Sequence, residues 1–167
     1  MQKMQANPQT GKASFYQIAG IHGVPRVDWD TVGKCSACTG QVDGYCTHDS
    51  ILFMGWHRAY LVLFEQQLVA AAKTVANTFT GTKKTTYTTA AANLRLPYWD
   101  WAAKPASGSS LPTLITAATV TVDAPAGSKS IKNPLYSYTF KDTSGLVYTQ
   151  YKTWTVSLCS EHVVNSC

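Results

Sequence analysis

The segment from Ile51 to Asn77 constrains the fold more than any other part of the chain, because it carries the longest amphipathic pattern. Apolar residues recur there at spacings of three and four, which predicts one long helix with a single buried face. The predicted face consists of Phe53, His57, Tyr60, Leu61, Phe64, Leu68 and Ala71 or Ala72. Asp49 and Ser50 precede the pattern and are suitable N-terminal caps. The pattern therefore places a histidine, His57, in the middle of a buried face.

A shorter helix is predicted upstream, in the segment "SFYQIAGIHG". Ser14 can cap this helix, and Gly23 ends it. His22 lies on the same helical face as Phe15 and Ile18, which directs the imidazole toward the core.

Residues 24–47 contain three cysteines among Pro, Gly, Asp and Ser without sustained periodicity, which predicts a long irregular loop. Loops of this length in a compact domain usually serve a function. Because His48 follows the loop directly, the layout brings His22, His48 and His57 within reach of one another.

The rest of the chain predicts short elements. Residues 78–92 predict a turn and a short helix, and residues 102–130, rich in Ala, Ser, Thr, Gly and Pro, predict surface loops. The segments "NPLYSYTF" and "GLVYTQY" predict short strands. With 167 residues, 45% of them hydrophobic, the chain has the size and composition of one globular domain. The predicted fold class is mainly α, with long loops and a few short strands.

Composition argues against several classes of partner. The net charge is +5, but the basic residues are scattered, so no nucleic-acid surface is predicted. The N-terminus, "MQKMQANPQTGKAS", lacks the apolar core of a secretory signal, and no apolar run is long enough to span a bilayer. We therefore expect a soluble protein with no membrane partner, while its compartment stays open. The disulfide pairing of the cysteines outside the histidine region also stays open: Cys35, Cys38, Cys159 and Cys167.

The three histidines predict a metal site. Neutral imidazole is a common ligand for copper and zinc, and a set of three leaves a position for an exogenous ligand. Taken singly, each histidine equally fits a core or surface residue held by a hydrogen bond, because one spacing is not diagnostic.

Four motifs in order make the pattern specific: "GIHG", "YCTH", "WHRAYLVLFEQQL" and "RLPYWDW". Together, over residues 14–101, they closely resemble the first copper-binding half of the tyrosinase and catechol oxidase family, particularly its fungal members. The resemblance implies that His22, His48 and His57 hold one copper, the A site, within part of a helical bundle. It also implies a polyphenol oxidase that converts phenols or o-diphenols to o-quinones with O2. Residues that separate tyrosinase from catechol oxidase lie largely around the second copper, so that distinction stays open.

Cys46 matches the family cysteine that forms a thioether with the histidine two residues later, here His48. In an extended segment, residues i and i+2 project to the same side, which would bring the sulfur beside the ring. The bond would fix the ring of a ligand carried by a loop. The resemblance further implies supporting roles for Trp56 and Tyr60, which we expect to pack around the metal helix. We also expect Arg58 to pair with Asp100 of "YWDW", on the hypothesis that Asp100 is buried.

The family's second copper site needs three further histidines, and this sequence has one more, His162. We therefore expect residues 1–155 to form the copper-A half of a truncated chain, inactive alone. Residues 156–167 are predicted to be a non-native tail, because Val156-Ser157 can be encoded by a splice-donor start such as GTAAGT. Without the remaining bundle helices, Phe53, Leu61 and Phe64 are expected to face water and promote self-association.

Two alternatives remain open at this point. Cys35, Cys38, Cys46 and His48 spell C-x₂-C-x₇-C-x-H, which fits a non-catalytic Cys₃His zinc module. The chain could also be a subunit that completes its copper site by pairing with another chain.

Overall fold

The computed structural model describes residues 1–22, 45–100, 102–103, 111–141 and 155–157. For residues 155–157 it describes the backbone only. Within these ranges the elements are α1 (Gln2–Ala6), α2 (Phe15–His22), α3 (Phe53–Ala76), α4 (Gly81–Asn93), α5 (Thr113–Thr116), β1 (Thr119–Ala124), β2 (Gly127–Lys132), β3 (Ser137–Thr139) and β4 (Thr155–Ser157). The mainly helical class with a few short strands is confirmed. The chain divides into two compact units, Met1–Ala72 with Phe140–Trp154 and Lys73–Thr139 with Thr155–Cys167.

The first unit is built around α2 and the N-terminal part of α3. Its core cluster of buried side chains consists of Met4, Ile18 and Ile21. Nine partly buried residues pack against them: Met1, Phe15, Tyr45, Trp56, Tyr60, Leu63, Phe64, Leu68 and Ala71. A small apolar core therefore holds α1, α2 and α3 together directly behind the end of α2.

Most of the predicted inner face of α3 is confirmed, because Tyr60, Phe64, Leu68 and Ala71 all pack on the core. Trp56 and Leu63 pack on the core, whereas Phe53 and Leu61 are 39% and 49% exposed. His57 is half-buried, like Trp56 and Tyr60, and is not enclosed in the core. The spacing pattern included Phe53 and Leu61 and omitted Trp56 and Leu63, because the positions on either side of the inner face are also apolar.

Phe53 and Leu61 face water as expected, whereas Phe64 packs on the core. Ile51, Leu52, Met54 and Val62 extend the exposed apolar surface around the start of α3.

The second unit contains a β-hairpin where surface loops were predicted. β1 pairs with β2 in antiparallel register from Thr119 opposite Lys132 to Ala124 opposite Gly127. The alternating β-branched sequence "TVTV" favours a strand, and Gly127 supplies the positive φ of 117° that follows the turn. The prediction of loops over 102–130 was therefore wrong for residues 119–130, where local alternation outweighs composition.

Two polar groups organise this unit. Lys83 and Tyr87 of α4 both bond to the Asp123 carboxylate of β1, with Lys83 Nζ 2.9 Å from Oδ2 and the Tyr87 hydroxyl donating over 2.7 Å. The buried Asn133 donates from Nδ2 to the carbonyls of Leu114 and Ala117, both at 2.8 Å. These bonds tie α4 to the hairpin, and the hairpin end to α5.

The short helix and one of the short strands are confirmed as α4 and β3, while "GLVYTQY" lies outside the described residues. β3 pairs with β4 in antiparallel register. β4 includes residues 156 and 157 of the predicted tail, and the interpretation of residues 156–167 as non-native stays a prediction. None of the described helices combines the length and apolar character needed to cross a membrane.

Candidate metal centre

His22 is the last residue of α2, and the sequence of that helix determines where its ring lies. Ser14 caps the helix as predicted, its Oγ accepting the Gln17 backbone N–H at 3.1 Å. Ile18 and Ile21 are buried in the core, which anchors the helix close to its C-terminal end. The His22 ring is consequently held beside the core, where it is half-buried.

Residues 45–50 bring the second histidine to the same place. The Tyr45 backbone N–H donates to the Ile21 carbonyl at 3.0 Å, which ties this segment to the end of α2. Cys46 is buried and is not in a disulfide, and His48 is half-buried. Asp49 then adopts a left-handed backbone conformation with φ of 52° before the chain enters α3.

His57 is carried by the first turns of α3. Its Nδ1 lies 2.8 Å from the backbone carbonyl of Phe53, one turn earlier. Because a carbonyl only accepts, Nδ1 carries the proton in this bond and Nε2 keeps the lone pair. The other nitrogen, Nε2, points to the other two histidines, 3.3 Å from His22 Nε2.

Four donor groups meet at this point: His22, Cys46, His48 and His57, with their ligand atoms all within 4.8 Å of one another. Cys46 Sγ lies 3.2 Å from His48 Nε2 and 3.1 Å from His57 Nε2. With metal–nitrogen bonds of about 2.0 Å and metal–sulfur bonds of about 2.3 Å, the edges of a tetrahedral site measure roughly 3.3–3.6 Å. The observed separations approach these edges, so the donor set fits a copper or zinc ion in both chemistry and size.

The electrostatics favour the neutral form of the His22 ring. Burial, followed by the neighbouring His57 and His48 rings, lowers the pKa of His22. A lowered pKa keeps the imidazole unprotonated at neutral pH, which is the form that coordinates a metal.

Aromatic side chains enclose one side of the cluster. Trp56 and Tyr60 stack on each other at 5.5 Å, and the His22 ring lies 6.1 Å from Trp56 and 5.5 Å from Tyr60. Burial, with a smaller contribution from Cys46, raises the pKa of Tyr60 to about 12, so its phenol stays protonated at neutral pH. The predicted packing of Trp56 and Tyr60 around the helix is observed.

Phe53 contacts the candidate site, although the sequence predicted it only as an apolar residue of the long helix. Its ring lies over the His57 ring, with centroids 4.0 Å apart and planes inclined by 35°. Its carbonyl also fixes the His57 tautomer. The available signal was the i, i+4 spacing of Phe53 and His57, which places the carbonyl of one residue beside the side chain of the other.

Other predicted site residues do not join the cluster. Arg58 is exposed, and so is Asp100, whose carboxylate accepts the Ala102 N–H at 3.1 Å. The supposition that Asp100 is buried was wrong, and its pairing with Arg58 stays a prediction. The zinc module depends on Cys35 and Cys38, which lie outside the described residues, as do the cysteines and the histidine of the C-terminal segment: Cys159, Cys167 and His162.

Comparison with known proteins identifies the family. Residues 12–164 match the model of the common central domain of tyrosinase. The chain is 46% identical over 145 residues to a tyrosinase of Podospora anserina, covering 84% of this chain and 25% of that protein. It is 43% identical over 136 residues to a tyrosinase of Neurospora crassa, covering 76% of this chain and 20% of that protein. The chain thus spans about a quarter of the length of the curated relatives it matches.

Solved structures give the same result. A structure of recombinant mushroom tyrosinase superposes with a TM-score of 0.74 and 36% identity, over 92% of this chain and 28% of that one. A copper-depleted variant of active Aspergillus oryzae tyrosinase, complexed with L-tyrosine, superposes with a TM-score of 0.75 and 29% identity, over 93% of this chain and 40% of that one. The chain has part of the tyrosinase helical-bundle fold and belongs to the tyrosinase family.

Proposed function

We propose that this chain forms the copper-A half of a polyphenol oxidase centre, of tyrosinase or catechol oxidase type, in which His22, His48 and His57 hold one copper ion. The whole enzyme would oxidise phenols or o-diphenols to o-quinones with O2. The observation that carries the proposal is the convergence of three imidazoles from two helices and one loop within 4.8 Å. Family membership supports the choice of copper.

The residues of this chain would prepare and hold the ligands. The Phe53 carbonyl keeps the proton of His57 on Nδ1, and burial keeps His22 unprotonated. Trp56 and Tyr60 enclose the His22 ring and restrict its rotation. Copper, when bound, would supply redox cycling between Cu(I) and Cu(II) and would orient dioxygen and substrate. No side-chain nucleophile is required.

Cys46 and His48 are proposed to become joined by a thioether in the mature protein. Their spacing of two residues and the 3.2 Å between Sγ and Nε2 place the sulfur beside the ring. The reaction breaks the S–H bond and a ring C–H bond, forms a C–S bond, and transfers two electrons and two protons to dioxygen to give hydrogen peroxide. The modified chain would be two hydrogens lighter, which intact-mass measurement resolves.

Copper binding tests the ligand assignment. The chain and its variants would be loaded with copper, and bound metal measured by mass spectrometry after removal of excess ion. His22→Ala and His57→Ala should weaken binding by more than the roughly 10- to 100-fold typical of outer-shell substitutions. His162→Ala is the matched control and should bind copper like the unsubstituted chain.

The same experiment distinguishes the three-histidine copper site from the alternative zinc module. Cys35→Ala should leave copper binding unchanged if the histidines are the ligands. Loss of metal in Cys35→Ala together with retention in His22→Ala would refute the proposed function.

A complete member of the family holds two copper ions, and this chain supplies ligands for one. We therefore expect little o-diphenol oxidation by the chain alone, measured as oxygen consumption. Recovery of turnover on adding a chain that carries a second set of three histidines would support a paired site, and the His57→Ala variant should abolish that recovery.

A further inference from the structure

The Cys46 thiol lies among the proposed ligands as well as beside His48. Its Sγ is 3.2 Å from His48 Nε2 and also 3.1 Å from Nε2 of His57, a residue that the thioether does not involve. The thiol is buried, with its residue 3% exposed. A role limited to cross-linking His48 does not require this close approach to His57.

Three of the six separations among the four donors are short enough for ligands of one ion, and all six are within 4.8 Å. Cys46 Sγ lies 3.1 Å from His57 Nε2 and 3.2 Å from His48 Nε2, and His57 Nε2 lies 3.3 Å from His22 Nε2. Those values lie near the roughly 3.3–3.6 Å edges of a tetrahedron of three nitrogens and one sulfur around a single ion. The His48 ring turns Nε2 toward the sulfur, whereas Nδ1 is farther away at 3.9 Å. The nitrogen that would bind metal and the sulfur thus face the same point.

We propose that, in the chain that has not yet been cross-linked, the Cys46 thiolate is a fourth metal ligand that closes the site against exogenous ligands. This inference rests on the proposed function, since it takes His22, His48 and His57 as the other three ligands. The thioether then acts as the opening step, because it converts the thiolate into a neutral sulfur bonded to the His48 ring. Dioxygen takes the two electrons without binding the metal, and of the two protons of hydrogen peroxide one comes from the ring C–H bond and the other from solvent, since the thiolate has already lost its own. One coordination position becomes available to an exogenous ligand only after that change.

The chemistry of the donors gives the closed state its own selectivity. Thiolate is a soft ligand that favours Cu(I) and Zn²⁺, and four protein ligands are the mark of a structural rather than a catalytic site. Three imidazoles with an open position are typical of a catalytic site. The uncross-linked chain would therefore retain a metal while offering no coordination position to small anions.

Cobalt(II) provides a direct test, because a cobalt–thiolate bond produces a charge-transfer band in the near ultraviolet. The chain would be produced without added copper, kept reduced, confirmed uncross-linked by its mass, and titrated with Co²⁺. The unsubstituted chain should show the band, and azide should leave its visible cobalt spectrum unchanged. Cys46→Ala should lack the band, bind Co²⁺ about tenfold or more weakly, and change its spectrum when azide is added. Cys159→Ala is the matched control and should behave like the unsubstituted chain.

The outcomes separate this inference from the proposed function. If the unsubstituted chain binds Co²⁺ without the band, or responds to azide as Cys46→Ala does, the thiolate is not a ligand and the inference fails. The three-histidine assignment survives that result as long as His22→Ala still reduces Co²⁺ binding. If His22→Ala has no effect on Co²⁺ binding, the proposed function itself fails. The decisive spectra come from the unsubstituted chain, so the test does not depend on Cys46→Ala being folded.

Discussion

Replacing Ile18 with alanine should destabilise the first unit and loosen the support of His22. Ile18 is 0% exposed, lies between Met4 and Ile21 in the core, and precedes His22 by one helical turn. Water is not expected to fill the space left by the substitution, because the side chains around Ile18 belong to the packed apolar faces of several elements. The perturbation removes three carbon atoms from a fully enclosed position.

The magnitude follows from burial. At about 0.8 kcal/mol for each buried methylene, the transfer free energy of three carbons is about 2.4 kcal/mol. A cavity that collapses only partly adds about 1 kcal/mol, which gives a loss of about 3.5 kcal/mol in the free energy of unfolding, within the usual range of 2–5. This is a large fraction of the roughly 5–15 kcal/mol that stabilises a typical domain. Ile18→Val, which removes one methylene, should cost only about 1 kcal/mol.

Urea unfolding followed by tryptophan fluorescence and circular dichroism provides the assay. Ile51→Ala is the matched control, because it deletes the same atoms from a residue that is 99% exposed. The control should change the free energy of unfolding by less than about 0.5 kcal/mol. If Ile18→Ala is no more destabilising than Ile51→Ala, the core described for the first unit is incorrect.

Three further perturbations test separate parts of the molecule. Ser14→Ala removes the cap of α2 and should lower the free energy of unfolding by about 1 kcal/mol, measured by urea denaturation; an unchanged midpoint would contradict the cap. Asn133→Ala breaks two donated bonds and the bond its Oδ1 accepts from the Leu135 N–H at 3.0 Å, and should cost about 3 kcal/mol. A loss below about 1 kcal/mol would show that water replaces these bonds. The hydrogen bond from Lys83, followed by that from Tyr87, lowers the pKa of Asp123 in the folded chain. The Asp123 carboxylate therefore stabilises the fold at pH values above the pKa that this carboxyl has in the unfolded chain. That stabilisation is lost as the pH falls through the lower pKa of the folded chain. Lys83→Met should raise that pKa in a carbon-13 NMR titration, and an unchanged pKa would contradict the contact.

The two helices that carry the site, α2 and α3, were predictable because their signals are local, whereas the short helices α1 and α5 were not predicted. Ser14 followed by an i, i+3, i+4 pattern was enough to define α2, and the long apolar pattern was enough to define α3 to within two residues at its start and one at its end. The spacing also predicted most of the inward face of α3, including Tyr60, Phe64 and Leu68. It did not predict the borders of that face. Trp56 and Leu63 pack inward while Leu61 does not, and the partners supplied by α1 and α2 decide which neighbouring apolar positions are covered.

The candidate site shows the same division. His22, His48 and His57 could be grouped because the motifs around them are specific, and the structure brings all three together. The approach of Cys46 to His57 could not be predicted, since eleven residues separate them and the contact depends on how the loop meets α3. The hairpin of β1 and β2 was missed for a different reason. Residues 102–130 were predicted to be loops from their high content of small residues, and the short alternation "TVTV" within them was not considered.

The left-handed conformation of Asp49 has a consequence for how this region tolerates substitution. With φ of 52°, Asp49 redirects the chain between His48, a proposed ligand, and the first turn of α3. Asparagine and glycine adopt this conformation at little cost, whereas β-branched residues such as valine do not. A saturation library at position 49, selected for retention of metal, should therefore keep Gly, Asn and Asp and lose Val and Ile. The direction in which His48 is presented would then depend on a backbone angle at its neighbour, independently of any side chain that contacts the metal.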